Sequence, residues 1–156
     1  MRNVRLMLFL GIALSGICLA EESCPWMNAA TAAGLLGGEV KFSITHSNEN
    51  KDDANCAFTR GSSNLQVSVH TMSAPSRDFR KYMDACAGGS LPLKAIGNEA
   101  VTCPISSIGG GVGEQVIGRV RDRAFTIHIS TMDHSTQSSL REEARKAAEQ
   151  VAGNLF

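Results

Sequence analysis

The clearest pattern along the chain is alternation. From Glu39 to His46, Val40, Phe42 and Ile44 face one way, and Lys41, Ser43 and Thr45 face the other. A period of two marks a strand with one buried face. A polar loop, Ser47 to Asp53, separates it from a second strand, Ala54 to Arg60, which carries Cys56 and Phe58. Beyond the turn Gly61-Ser62-Ser63-Asn64 comes the cleanest strand, Leu65 to Met72. Leu65, Val67 and Val69 line one side of it, and Gln66, Ser68 and His70 the other. These three strands predict a meander. Gly97-Asn98 turns the chain into a short strand, Glu99 to Cys103. Glu114 to Arg121 and Ala124 to Thr131 then predict a hairpin across Asp122-Arg123, with Val116, Val120, Phe125, Ile127 and Ile129 on buried faces.

Three segments switch to a helical period. Asn28 is placed to cap Ala29 to Leu36, and Gly37-Gly38 ends that helix. Ser73 is placed to cap a second helix with Pro75 in its first turn, where a missing N–H does no harm. Phe79, Tyr82, Met83 and Cys86 share one face of it, Gly88-Gly89 ends it, and Leu91 to Ile96 crosses over. Ser139 with Glu142 three residues on reads as a capping box. It opens a last helix, Leu140 to Leu155, whose apolar stripe is Leu140, Ala144, Ala147, Val151 and Leu155. Runs of strands between helices predict an α+β fold: a single antiparallel sheet of about five to six strands with helices packed on one face. Because the strands alternate, the other face is expected to be partly solvated.

The first twenty residues read as an address. Arg2 and Arg5 precede an apolar run, Leu6 to Leu14, and the small residues Cys18 and Ala20 suit signal-peptidase cleavage. A retained membrane anchor would need roughly 20 apolar residues. Lipid attachment to Cys18 would need a small residue before it, and Ile17 stands there. The expectation is a signal peptide, 1–20, then one α+β domain, 21–156, secreted or periplasmic and with no stable membrane span after cleavage.

Charge narrows the partners. Lys+Arg and Asp+Glu both number 15, and removing the leader takes two arginines away, to a net charge of −2. A domain that binds nucleic acid normally carries a marked basic excess, so nucleic acid is not an expected partner. Hydrophobic residues make up 43% and charged residues 19%, as in a folded domain.

Four cysteines remain after the leader: Cys24, Cys56, Cys86 and Cys103. An even number in an exported chain implies two disulfides. Four cysteines allow three pairings. Cys24–Cys56 and Cys86–Cys103 are favoured, since each joins segments that the strand pattern makes neighbours. A thiolate zinc site or a redox pair would need C-x-x-C spacing, which is absent.

Candidate chemistry is sparse. The glycine-rich stretch Ser106 to Gly113 lacks the Lys-Ser/Thr of a phosphate-cradling loop and is followed by Glu114. His70 and His128 fall on polar strand faces. If their strands were neighbours, they could share a metal or flank a ligand, with Asp133 and His134 adding to the set. Arg119 and Arg121 read as one strand face at period two, close to Arg123. Together with Gln66, His70 and His128 they make a candidate binding surface. Glu99, after Gly97-Asn98, reads as a turn-edge carboxylate. There is no G-x-S-x-G elbow. No catalytic residue, metal site or cofactor is assigned.

One likeness follows. A cysteine before the first helix, Ala-Ala-Gly-Leu-Leu-Gly-Gly at its end, Asn55-Cys56-Ala57-Phe58 in the second strand and Ile96-Gly97-Asn98-Glu99-Ala100 resemble the small exported bacterial domains of the domain of unknown function 3558 family. The hairpin from Arg119 to Ile129 and the final helix follow in that family's order. The resemblance spans most of Cys24 to Leu155 and implies fold and compartment rather than a reaction. That family is typically lipid-anchored, whereas this chain shows no lipobox. The expected function is therefore a non-catalytic binding or accessory protein of the bacterial cell envelope, with a protein or small-molecule partner there. Two alternatives remain: a small secreted hydrolase or metal-dependent enzyme using His70, His128 and Asp133, and a secreted inhibitor presenting the Ser106–Gly113 loop.

Overall fold

A computed structural model describes residues 23–47, 50, 53–86, 89–106 and 110–156. The leader therefore lies outside the described residues, as do the middle of the 106–113 loop and part of the 47–53 loop. One sheet dominates. It contains β1 (Lys41–His46), β2 (Ala54–Arg60), β3 (Ser63–Thr71), β4 (Leu91–Leu93), β5 (Glu99–Ser106), β6 (Val112–Val120) and β7 (Arg123–Thr131). The order is β1-β2-β3-β7-β6-β5-β4, and every pairing is antiparallel. The meander and the final hairpin are as the alternation predicts.

Seven strands form, more than the expected five to six. The addition is β4, inside the segment read as a crossover. Three residues with Pro92 at the centre are too short to show a period, and proline suits a sheet edge because it has no N–H to donate.

The inner face holds the main core. Phe58, Leu65, Val67, Val69, Phe125 and Ile127 are fully buried there. α1 (Ala29–Leu36) and α3 (Gln137–Leu155) cover it, α3 through Leu140, Ala144, Ala147 and Val151. A buried carboxylate helps to hold α3: Glu114 Oε1 accepts from Thr102 Oγ1 at 2.7 Å and from Arg141 Nε at 3.1 Å.

The helices do not all pack on that face. α2 (Pro75–Met83) lies against the opposite one, where Phe79 joins Met72, Cys86, Cys103, Ile117 and Ala124 in a second, smaller cluster. Ile117 and Ala124 sit at outward positions of β6 and β7. Those strands are apolar on both faces at that point, which supplies the reason for a second layer.

The cap of α1 forms as its sequence predicts, and those of α2 and α3 do not. Asn28 Oδ1 accepts from Thr31 N at 2.8 Å, and Gly37 closes α1 in the left-handed region. Arg60 finishes that cap by donating to the Leu36 carbonyl at 3.3 Å. Ser73 does not cap α2. The N-cap is Ala74, and Asp78 Oδ2 instead accepts from its N–H at 2.9 Å. The Ser139–Glu142 box does not form either. α3 starts earlier, at Gln137, Ser139 Oγ donates to the Thr136 carbonyl, and Glu142 pairs with Arg145.

Both favoured disulfides are present. Cys24–Cys56 ties the lead-in to β2, and Cys86–Cys103 ties the turn after α2 to β5. Among the described residues, no helix is long and apolar enough to cross a membrane.

Candidate functional site

Register sorts the outer face of the sheet into rows. One row runs Ser43, Ala57, Gln66, His128, Gln115, Cys103 across β1, β2, β3, β7, β6 and β5. A neighbouring row runs Thr45, Asn55, Ser68, Thr126, Ile117, Val101. On the other side lie Lys41, Thr59, Asn64 and Ser130, followed by Gly113 and Ile105. α2 packs where these rows turn apolar. Their β1-β2-β3-β7 ends are exposed or half-buried and carry hydroxyls and amides. Lys41, at one corner, is the only ionised side chain among those positions. The cause is local: strand alternation sends Val, Ile, Leu and Phe inward and leaves Ser, Thr, Asn and Gln outward.

Two polar atoms in this open half-face have no hydrogen-bond partner: Asn64 Oδ1 and His128 Nε2. Leaving such an atom buried and unpaired costs about 1–3 kcal/mol. Burial lowers the pKa of His128, so its ring is neutral at pH 7. A neutral imidazole has one donor and one acceptor nitrogen. Nearby, Ser68 Oγ donates to Asn55 Oδ1 at 3.2 Å.

His70 stands at the border with α2. Its Nδ1 is 3.7 Å from Asp53 Oδ2, and its ring stacks on Tyr82 at 6.2 Å between centroids. Asp53 is buried, and its Oδ1 accepts from Thr71 N and Thr71 Oγ1, both at 2.9 Å, and from Asn50 Nδ2 at 3.1 Å. Beside them is a recess of about 390 Å³ lined by Thr71, Met72, Ser73, Asp78, Lys81 and Tyr82. Burial first, then the carboxylates of Asp53 and Asp78, push the Tyr82 phenol up. Asp53 and Tyr82 did not stand out in the sequence. Asp53 reads as one polar loop residue among several, and only the β2–β3 register brings it beside His70.

The five candidate surface residues do not form one patch. Gln66 and His128 are cross-strand neighbours in one row. Arg119 lies beneath α2, its side chain 19% exposed. Its Nη2 is 3.3 Å from Glu99 Oε2, its Nη1 donates to the Arg121 carbonyl at 3.3 Å, and its guanidinium sits 5.8 Å from the Phe79 ring centre. Arg121 is not on the β6 face at all. It occupies the β6–β7 turn at φ 54°, and its N–H donates to Asn98 Oδ1 at 2.6 Å. The period-two reading of Arg119 and Arg121 fails because β6 ends at Val120.

β3 and β7 are neighbours, yet His70 and His128 are apart. Gln66, not His70, pairs with His128, and four strand residues separate the two histidine rows by about 13 Å. Asp133, beyond the end of β7, accepts from Ser135 N and Oγ at 2.9 and 2.6 Å, and the Ser135 hydroxyl leads in holding its carboxyl below the usual range. Among the described residues, no three His, Cys, Asp or Glu side chains cluster in a way that could hold a metal ion. In the glycine-rich loop, Ser106 ends β5 and Val112 opens β6, while residues 107–109 lie outside the described set. Gly97-Asn98 makes the turn expected of it. Gly97 has φ 62°, and a side chain there would strike the Arg119 carbonyl.

Fold and site together define a disulfide-linked α+β domain with an open, polar sheet surface whose described positions carry one charge, Lys41. Comparison with known proteins adds no identity: no protein-family model matches this chain, and no curated protein matches it.

Proposed function

We propose that this chain is an exported bacterial domain that binds rather than catalyses, an accessory protein of the cell envelope whose ligand surface is the open half of the outer sheet face. The observation that carries the reading is the composition of that half-face, from Ser43 and Asn55 through Gln66 and Ser68 to Thr126 and His128. It is an array of hydroxyl and amide groups on a sheet with helices packed on both faces. Rigid strands hold such groups with little entropy left to lose on binding. The two disulfides are compatible with export to an oxidising compartment. The signal-like leader and the likeness to the domain of unknown function 3558 family point the same way.

Co-sedimentation of the purified protein with isolated envelope fragments tests this. Wild-type protein is expected in the pellet, and a Gln66→Lys, Ser68→Lys variant of equal melting temperature in the supernatant. Equal pelleting of the two would overturn the assignment of the surface.

A further inference from the structure

We infer that the ligand of this half-face is an uncharged, polyhydroxylated chain, a neutral glycan. The inference rests on the binding reading above and names its ligand class.

Charge carries the argument. The open ends of the rows hold Ser, Thr, Asn and Gln, with Lys41 at the corner and no carboxylate. Among the described residues of these rows, an anionic ligand would meet one peripheral cation and a cationic ligand no counter-charge. Arg119 lies beneath α2 rather than on the open half-face, where its Nη atoms meet Glu99 and the Arg121 carbonyl and its guanidinium meets Phe79, while its buried Nε has no partner. A protein partner is the wrong shape of answer as well. Protein interfaces are anchored by a desolvated core rich in aromatic residues, Met and Arg, and these rows supply none of them.

A glycan matches what is present. Each of its hydroxyls donates and accepts, as do Ser, Thr, Asn and Gln side chains. The platform spans about 14 Å from β1 to β7, three interstrand spacings. Its residues are exposed or half-buried throughout.

The test is a ¹⁵N-labelled titration of the whole protein with maltohexaose, the N-acetylglucosamine hexamer, a heparin hexasaccharide and a chitosan hexamer. The inference expects millimolar or tighter binding of a neutral oligomer, with amide shifts confined to Ser43, Asn55, Gln66, Ser68, Thr126 and their neighbours. Gln66→Ala with Ser68→Ala should weaken that binding about tenfold, the effect of losing two modest hydrogen bonds. Stronger binding of the heparin or chitosan oligomer, or shifts elsewhere on the molecule, would overturn it. So would silence from both neutral oligomers. Silence combined with pelleting that depends on Gln66 and Ser68 would sink the glycan and leave the binding surface standing. Pelleting indifferent to those residues would sink the surface as well.

Discussion

Gly118 shows how closely the inner face is packed. It pairs with Phe125, whose ring lies where a Cβ at position 118 would sit. Gly118→Ala should therefore destabilise by about 1–3 kcal/mol, read as a lower urea midpoint, because the ring must leave its rotamer. His128 gives a pH signature. Burial lowers its folded pKa below 6.5, so the unfolded chain takes up the proton first. The penalty is absent above pH 6.5 and grows as pH falls below it, down to the folded pKa. His128→Gln should flatten this part of the stability profile, and an unchanged slope would contradict the assignment. Arg119 and Arg121 look alike in sequence and should behave differently. Arg119→Ala removes a contact to Phe79 and a hydrogen bond to a carbonyl and should cost about 1–2 kcal/mol. Arg121→Ala, at an exposed turn where its backbone N–H and carbonyl carry the hydrogen bonds and both survive the substitution, should stay within about 0.5 kcal/mol.

Among the elements, α2 is attached through a small contact area. It has no side-chain cap at its N-terminal residue, a small apolar cluster under Phe79, and one disulfide just beyond its end. Cys86→Ala with Cys103→Ala should cost about 2–4 kcal/mol. Hydrogen exchange should show that loss first in α2, with β3, β6 and β7 still protected. Uniform loss of protection would mean that α2 and the sheet unfold together. Removing Cys24–Cys56 instead loosens the lead-in packed around Trp26 and Met27, residues that belong to the main core. That variant should lose protection across the inner face rather than in α2. The missed caps have separate causes: in α2 an aspartate inside the helix takes the Ala74 N–H, and in α3 the helix starts two residues before Ser139, differences of one or two positions that sequence spacing does not rank.

At the scale of the molecule, the described helices pack on both faces of the sheet and leave half of the outer face open, the half proposed as the ligand surface. Alternation in β1, β2, β3 and β7 made most of this surface legible: Gln66, Ser68, His70 and His128 were on the polar side from the outset. Their grouping was not legible. His70 and His128 occupy equivalent polar positions on neighbouring strands, yet register sets them about 13 Å apart. Conversely Asp53, a loop residue by pattern, comes to lie beside His70. Side-chain periodicity and the turn residues determine strands, helices and their inward faces, because those depend on neighbours a few positions away in the chain. The cysteine pairs could be narrowed in the same way, since adjacent strands are usually adjacent in sequence. The tertiary structure decided the rest: which face α2 covers, that Arg119 is held beneath it, that Arg121 leaves the strand, and which polar residues share a row. Those follow from strand register and from packing between segments distant in sequence, where the competing partners differ by only a few kcal/mol and no local pattern records the winner.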